Sequence, residues 1–248
     1  MKHAGLLAVA LAGIAVVGCA TSAPQQAAEP EMLPSFDFEP PTKTAIDTGS
    51  VSFCLVKPQF PEMWQKDLIA YYPFNKFSQN MGSDFEEILS ARGFRMRGPF
   101  STNDEMSFPD KSQSDLTLMP KIEFDFSPVG VQQAGKDLLG TPWYRWKGTV
   151  KLGGRITIAV NETLSNERMW SKSVELPARS FAYESPKYAQ PMQGLSLEDV
   201  KLANLLAKNM QDYYTMTMTE VWKYLDPQEM AMIKKQAMPL KDKVRYGG

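Results

Sequence analysis

The stretch DLTLMPKIEFDF, residues 115–126, alternates between apolar and polar side chains for most of its length. The apolar members lie at even positions and the polar members at odd positions: Leu116, Leu118, Ile122, Phe124 and Phe126 against Asp115, Thr117, Lys121, Glu123 and Asp125. Successive side chains of a strand point to opposite faces of a sheet. This period of two therefore predicts a β-strand with one buried and one solvated face.

Downstream of this strand, the same parity continues through residues 146–160 and returns in residues 170–176. A turn at residues 164–167 separates the two runs, which predicts a β-hairpin. Gly153 and Gly154 interrupt the first run, and glycines inside a strand indicate a bulge or a sharp bend. The centre of the chain is therefore expected to be an antiparallel part of a sheet.

Upstream, residues 51–57 form a short apolar run that ends before Pro58 and predicts a strand. Apolar residues at helical spacing follow: Phe77, Met81, Phe85, Ile88 and Leu89. Gly93 then predicts the end of this helix, and residues 94–97 resume as a strand. The order strand, helix, strand favours a right-handed crossover that joins two parallel strands.

The C-terminal part predicts a long helix after Ser196, with Asp199 three residues on in a position like that of a capping box. Asp226-Pro227 predicts the start of a second, shorter helix that ends before Pro239. The basic residues near the end are Lys234, Lys235, Lys241, Lys243 and Arg245. We expect them on a solvated helix face and a frayed terminus, with contact to anionic lipid or polysaccharide as the alternative. The elements together predict a single α/β (α+β) domain, a mixed or antiparallel sheet with two main helices.

The N-terminus has the order of an export signal: a charged start, an apolar run over residues 4–17, and Gly18 before Cys19. A membrane-spanning helix needs about 20 apolar residues, and this run is shorter. The end of the run, Val16-Val17-Gly18-Cys19, is similar to a bacterial lipobox. It predicts that residues 1–18 are a signal peptide and that Cys19 carries the acyl chains, palmitate among them, that anchor the protein to a membrane.

Residue 20 is alanine rather than the aspartate that resembles an inner-membrane retention signal, so we expect the outer membrane. Residues 19–50 contain the lipidated cysteine and a stretch rich in proline, alanine and glutamine, which predicts a disordered linker. The folded domain is then expected over residues 51–248, held away from the bilayer by this tether. Whether it faces the periplasm or the outside is left open.

Composition excludes several classes of function. The 248 residues carry 27 basic and 28 acidic side chains and a net charge of -1, which disfavours nucleic acid as a partner. The single histidine, His3, would leave with the signal, and Cys54 would be the one cysteine without lipid, so no intramolecular disulfide is expected. We expect Cys54 to be a small buried hydrophobe. No zinc spacing, phosphate loop or nucleophile elbow is present, so the sequence predicts no enzyme, no cofactor and no metal site.

Charged clusters have ordinary structural interpretations. Asp84, Glu86 and Glu87 are close in sequence, but their spacing on the predicted helix places them on its solvated side. Lys147, Lys151 and Arg155 could attract an acidic glycan. We instead expect them to pair across strands with the acidic positions Asp115, Glu123 and Asp125.

Two segments combine aromatic rings with cations, and both are predicted to be loops. Residues 141–146 read TPWYRW, and residues 179–188 read RSFAYESPKY. Tyrosine and tryptophan beside arginine or lysine can stack on sugars or anchor a protein partner. The predicted contact residues are Trp143, Tyr144, Arg145, Arg179, Phe181, Tyr183, Lys187 and Tyr188. The alternative is that these rings fold back onto the core or the strand ends.

Several segments together resemble the neuraminyllactose-binding hemagglutinin family, also called flagellar sheath adhesins. They are SFCLVKPQF at residues 52–60, FEEILSARGF at residues 85–94, DLTL at residues 115–118, and the C-terminal helix with its basic end. The resemblance implies an α/β lipoprotein domain of a Gram-negative envelope with an adhesin-like role. The family's sialic-acid-binding segment is a basic heptapeptide just after the strand at 121–126. Here residues 127–137 read SPVGVQQAGKD with one lysine, so that site is not carried over.

The sequence leaves two alternative functions open. The first is a non-enzymatic outer-membrane lipoprotein, adhesin-like, that binds a glycan or another surface ligand. The second is a structural or assembly lipoprotein of an envelope machine, such as a flagellar sheath, a secretion system or a cell-wall complex, with protein partners. Both use the membrane through the lipid anchor and neither uses nucleic acid.

Overall fold

A computed structural model describes residues 34–42, 51–61, 67–192 and 194–246 of the chain. Within these ranges the strands are β1 (Ser52–Val56), β2 (Arg95–Phe100), β3 (Leu116–Lys136), β4 (Pro142–Glu162) and β5 (Arg168–Glu184). The α-helices there are α1 (Phe74–Ala91), α2 (Phe108–Gln113), α3 (Val200–Tyr224) and α4 (Pro227–Tyr246), with a single 3-10 turn at Asn103–Glu105. The fold is a mixed α+β domain, as the sequence predicts.

The strands form one mixed sheet in the order β2-β1-β3-β4-β5. β1 runs parallel to both β2 and β3, while β3, β4 and β5 pair antiparallel. The predicted strand, helix, strand unit is confirmed, since α1 connects the parallel neighbours β1 and β2. Gly93 ends the connection with a positive φ of 79°, which a glycine adopts without steric cost.

One hydrophobic core lies between the sheet and the helices α1, α3 and α4. Its fully buried aromatic side chains come from the helices, the sheet and an N-terminal segment: Phe36, Phe53, Phe74, Phe77, Phe85, Phe124, Tyr213 and Tyr214. A smaller cluster of Cys54, Val56 and Met106 lies apart from it. Cys54 is buried as predicted, with its sulfur 3.2 Å from Ser114 Oγ. We refer to the sheet and helices around this core as the body.

Strands β3 and β4 are each 21 residues long and pair without a register shift from Leu116 with Glu162 to Lys136 with Pro142. Both strands therefore continue well past the ends that the alternating pattern predicts. The prediction of a loop at residues 141–146 is wrong, because residues 142–146 form the first part of β4. Backbone pairing with β3 holds this segment extended even though its composition does not alternate.

The predicted irregularity at the glycine pair is confirmed. The pairing of β4 with β5 shifts register between Leu152 and Gly154, and Gly154 has a φ of 136°. A Cβ atom on Gly154 would lie 2.0 Å from the carbonyl oxygen of Glu123. Only glycine allows β4 to approach β3 this closely at the bend.

Two boundaries of the C-terminal helices differ from the prediction, the N-cap of α3 and the end of α4. α3 begins at Val200, and its N-cap is Asp199, whose carboxylate accepts from Lys201 N (2.9 Å) and Leu202 N (3.2 Å), so Ser196 is not the cap. α4 starts after Asp226 as predicted, but it continues through Pro239 to Tyr246. The expectation of a frayed end is therefore wrong.

Three basic side chains of α4 contact residues near α2 and the start of β3. Lys234 Nζ lies 3.0 Å from Asp115 Oδ2, Arg245 Nη2 donates to the carbonyl oxygen of Ser112 (2.8 Å), and Lys241 Nζ donates to that of Ser114. These contacts join the last helix to α2 and the start of β3. The expectation of a solvated basic face is wrong for Lys234 and Lys241, which are half-buried, whereas Arg245 is exposed as predicted.

The predicted signal peptide (residues 1–18) and the lipidated Cys19 lie outside the described residues. Of the predicted linker, residues 34–42 are described, and Phe36 is only 1% exposed. Its ring centroid lies 5.4 Å from those of Phe77 and Tyr214, and Asn80 Nδ2 donates to its carbonyl oxygen (2.6 Å). This part of the expected tether thus contributes a core side chain. Among the helices in the described ranges, none is long and apolar enough to cross a membrane.

Candidate functional site

The distal part of the β3–β4 hairpin, residues 127–145, contains no buried side chain, and we call it the arm. Its largest exposed apolar side chains are Val129 (69% exposed), Val131 (64%), Leu138 (106%) and Leu139 (91%). The two valines lie on the odd-numbered face, away from the helices, and the two leucines lie in the turn that joins the strands. Exposed apolar side chains of this kind are candidates for a contact region.

Two tryptophans fill the space that glycines leave on the facing strand. A Cβ on Gly135 would lie 2.5 Å from Trp143 Cζ2, and a Cβ on Gly130 would lie 2.4 Å from Trp146 Cζ2. The indole rings therefore lie directly against glycine backbone, with Trp143 on one face of the sheet and Trp146 on the other. Trp146 is buried and belongs to the core, whereas Trp143 is half-buried and faces away from the helices.

Two cations lie near the ring of Trp143. Lys187 Nζ lies 4.4 Å from the ring centroid of Trp143, and Arg145 Cζ lies 5.3 Å from it. Arg145 also forms an ion pair with Glu184 and donates from Nε to Gln133 Oε1 (2.9 Å). These partners fix the arginine, while Lys187 is exposed where it lies over the ring.

Tyr188 joins this group through both its backbone and its side chain. It forms a two-bond bridge with Tyr144, each N–H donating to the other's carbonyl oxygen at 2.8 Å. Its hydroxyl donates to Asp199 Oδ2 (2.9 Å), which ties the segment to the N-terminus of α3. Burial and the neighbouring Asp199 carboxylate raise the pKa of Tyr188, so the hydroxyl stays a donor at neutral pH. A cleft of about 300 Å³ opens beside this ring, next to Met192.

The structure thus brings five of the eight predicted contact residues to one place. We call Trp143, Tyr144, Arg145, Lys187 and Tyr188 the arm-base cluster. It lies where the arm leaves the body. That these residues bind a ligand stays a prediction.

The other three predicted residues point toward the core face, because residues 179–184 belong to β5 and not to the predicted loop. Tyr183 is 3% exposed, and its ring centroid lies 6.0 Å from that of Trp146. Phe181 packs partly buried against the core. Arg179 lies over the ring of Tyr213 and binds Asp212 at 2.7 Å. These three side chains follow the alternative prediction, in which they fold back onto the domain.

Two ion pairs join charged residues across the strands of the solvated sheet face. Arg155 Nη2 lies 2.9 Å from Glu123 Oε2, which is the cross-strand pair that the sequence predicts. Lys147 Nζ lies 3.5 Å from Glu184 Oε2 rather than near an acidic residue of β3. Arg155 and Lys147 are thus partly neutralised by acidic neighbours. Within the described ranges, no group of three or more histidine, cysteine or carboxylate side chains is placed to hold a metal ion.

Asp84 corrects the interpretation of the acidic residues on α1. It is 3% exposed and accepts a hydrogen bond from the Tyr214 hydroxyl at 2.6 Å, so the prediction of a solvated side chain is wrong. Burial raises the pKa of Asp84 to about 6, the charges of Asp37 and Glu87 act in the same direction, and the bond from Tyr214 opposes them. The group lies between α1, α3 and the segment at residues 34–42, where it acts as a structural contact.

Leu138 and Leu139 are the exposed residues that the sequence-based reasoning missed. The signal was present, since Asp137 and Gly140 bracket the two leucines and both residue types favour turns. Turns usually consist of polar residues, so two consecutive leucines in a turn are unusual. The sequence therefore contained an unexplained apolar pair, and the structure places it at the end of the arm.

No family model matches the chain. No curated protein matches it closely by sequence. Among solved structures, a lipoprotein from Neisseria meningitidis matches with a TM-score of 0.26 at 13% identity, over 66% of this chain and 96% of that one. A minor lipoprotein from Acinetobacter baumannii matches with 0.29 at 10% identity, over 70% and 93%. TM-scores below 0.5 do not establish a common fold.

A higher score is reached by a protein from Helicobacter pylori that is described as a homologue of a neuraminyllactose-binding hemagglutinin. It matches with a TM-score of 0.53 at 16% identity, over 81% of this chain and 98% of that one. The coverage shows that the similarity extends over nearly the whole of that protein. At this identity the likeness concerns the fold, and the chain shares the fold of that hemagglutinin homologue.

Proposed function

We propose that the protein is a lipoprotein of the outer membrane, tethered through Cys19. The lipobox-like end of the apolar N-terminal run supports the anchor, and alanine at position 20 supports the outer membrane. The fold shared with the hemagglutinin homologue from Helicobacter pylori agrees with an envelope protein of this kind. Cys19→Ser should release the protein from membranes when cell fractions are compared by immunoblotting. A variant that stays fully in the membrane fraction would contradict the anchor.

We propose further that the domain works by binding and not by catalysis, through the arm-base cluster. The observation that carries this is that Lys187 and Arg145 both lie against the half-buried ring of Trp143, on the face of the sheet away from the helices. An aromatic ring with a mobile cation over it can exchange that cation for a ligand that presents apolar area and a negative or hydroxyl group.

The leading function is adhesin-like binding of a glycan. A sugar ring would stack on Trp143 after Lys187 moves aside, and the lysine would then contact a hydroxyl or an acidic group of the same ligand. The hemagglutinin homologue of the same fold gives this ligand class its support. The basic heptapeptide of that family is missing here, so the proposal extends to glycans in general and does not require sialic acid.

A glycan array tests the proposal, with the full-length protein in detergent micelles and the Trp143→Ala variant beside it. We expect binding that is lost in Trp143→Ala. Trp222→Ala is the matched control, because Trp222 also lies against a cation, with Arg92 Cζ 3.7 Å from its ring centroid, but outside the cluster. No glycan bound by the wild-type protein, or equal binding by Trp143→Ala, would sink the adhesin proposal.

A second candidate is a structural or assembly lipoprotein with a protein partner in the envelope. Val129 and Val131 favour it, since they extend the exposed apolar surface along the same face as Trp143, beyond the size of a sugar site. A photo-crosslinking amino acid at position 143 in intact cells should then capture one defined envelope protein. The same amino acid at Met232, which is 58% exposed on α4, is the control and should capture none.

A further inference from the structure

Leu138 and Leu139 lie at the outermost point of the arm, where their side chains are 106% and 91% exposed. Neither touches the body, so the leucines contribute nothing to the packing of the core. Each nonetheless keeps a large aliphatic side chain in water, which is unfavourable unless something else removes it from water. Contact with a medium outside the chain would remove this apolar surface from water.

Four backbone N–H groups of this turn are hydrogen-bonded within it. Asp137 Oδ1 accepts from Leu139 N (2.9 Å) and from Thr141 N (2.8 Å), and Gly140 N donates to the carbonyl oxygen of Asp137 (3.0 Å). Asp137 N in turn donates to Thr141 O at 3.0 Å. An unsatisfied N–H group cannot enter an apolar medium without a large loss of free energy. The N–H groups of Leu139, Gly140 and Thr141 are therefore already paired when the leucines enter such a medium.

The residues just behind the turn have the composition of a membrane interface. Trp143 pairs with Gly135 two residues behind the turn on the neighbouring strand, and Lys136 and Lys187 flank it. Tryptophan is enriched at the level of lipid headgroups, and lysine binds the phosphates there. Two to three residues of strand span about 7–10 Å. That length matches the about 5–10 Å by which interfacial protein segments enter a bilayer.

We propose that Leu138 and Leu139 insert into the acyl region of a lipid bilayer, with Trp143 and its flanking lysines at the level of anionic headgroups. The charge of the flanking residues favours this medium over a protein surface. A second copy or another protein would need about 800 Å² of contact area, whereas the exposed apolar atoms of the turn belong to two side chains at a point. The inserted turn gives the tethered domain a second membrane contact. Trp143 and Lys187 are shared with the arm-base cluster, so the test follows the turn at residue 139, which the glycan proposal does not use.

The test uses the full-length lipoprotein in vesicles of equal parts phosphatidylethanolamine and phosphatidylglycerol. Leu139→Cys is labelled with an environment-sensitive fluorophore, since Cys54 is fully buried. We expect the emission to shift to the blue and to be quenched by lipids that carry a spin label at a shallow acyl position. Met232→Cys, labelled in the same way, is equally tethered and should show neither effect.

Two further variants sharpen the result. Leu138→Ser, combined with the label at residue 139, should lower the inserted fraction about tenfold, because the remaining leucine of the pair is lost. Vesicles of phosphatidylcholine alone should also lower it, since the lysines then have no net anionic surface to bind. Emission from residue 139 that equals emission from residue 232 overturns the proposal. Emission that depends on protein density but not on spin-labelled lipid would show that the turn contacts a second copy of the protein. That result also overturns the proposal.

Discussion

The two halves of the β3–β4 hairpin have the same backbone pairing and opposite surroundings. In the body half, Ile122 and Phe124 are completely buried under α1 and its neighbours, whereas in the arm half Val131 is 64% exposed on a continuous ladder. Pairing alone therefore does not decide what a strand does. Helices cover one half and provide the free energy of folding, and the uncovered half is left for contact with something outside the chain.

The largest expected difference between the halves is in core packing. Phe124 makes edge contacts with Phe74 and Phe77, with centroids 5.2 Å and 5.4 Å away. Phe124→Ala should lower the free energy of unfolding by about 3–5 kcal/mol, since it removes a fully buried ring. Val131→Ala, on the same strand, should change it by at most about 0.5 kcal/mol. Urea titration of both variants, followed by circular dichroism, gives the two values.

Equal losses in these two variants would contradict the division into body and arm. They would mean that the arm packs against something within the folded chain. A larger loss in Val131→Ala only at high protein concentration would instead indicate that two arms associate.

A second difference concerns glycines. Gly154 in the body has a φ of 136° and no space for a Cβ, while Gly140 in the arm turn has a φ of 81° with nothing within 4 Å of a Cβ. Gly154→Ala should cost about 3 kcal/mol, because the strained backbone would also meet the Glu123 carbonyl. Gly140→Ala should cost about 1 kcal/mol, the strain of the left-handed conformation alone. Thermal unfolding compares the two, and a loss in Gly140→Ala as large as in Gly154→Ala would show that the arm turn is coupled to the body.

The third prediction concerns pH and the body alone. The pKa of Asp84 is about 6 in the folded protein and about 4 in an unfolded chain. Between these values the folded state binds more protons, so the stabilisation is fully present below pH of about 4 and is lost as pH rises through about 6, by about 2–3 kcal/mol in total. Asp84→Asn should remove this slope in urea titrations from pH 4 to pH 8.

The same titrations need a control on the same helix. Glu86→Gln changes a half-exposed carboxylate of α1 and should keep the slope. The Asp84 substitution also retains an oxygen that can accept from Tyr214, so it does not leave that hydroxyl unpaired. A slope that persists in Asp84→Asn would assign the pH dependence to another group.

The body was predictable from local pattern, and particular residues show why. The spacing from Phe77 to Leu89 and the stop at Gly93 predict α1, and the alternation from Leu116 to Phe126 predicts the buried half of β3. These signals are local because apolar periodicity reflects the face that each element buries. Asp84 was not predictable, since its partner Tyr214 lies 130 residues away and its neighbours Glu86 and Glu87 indicate a solvated helix face.

The arm was not predictable for the opposite reason. Residues 127–136 lack an alternating pattern because neither face is buried, so no periodic signal marks them as a strand. Their extended form depends on β4 and on Trp143 and Trp146 lying over Gly135 and Gly130. Within the candidate site, the residue types were found in advance. The faces on which they lie were not, because the pairing of β4 with β5 shifts register and the buried positions of β5 change from even (Val174, Leu176) to odd (Tyr183).

The smallest expected effect on stability is at Trp143, and it decides how the function can be tested. Its ring lies over Gly135 and under Lys187, outside the core, so Trp143→Ala should lower the free energy of unfolding by about 1 kcal/mol at most. Differential scanning calorimetry of the variant and the wild type measures this. A near-unchanged melting temperature means that any binding lost in Trp143→Ala is lost at the surface itself. A shift as large as that of Phe124→Ala would place Trp143 in the body and remove it from the arm-base cluster as a contact residue.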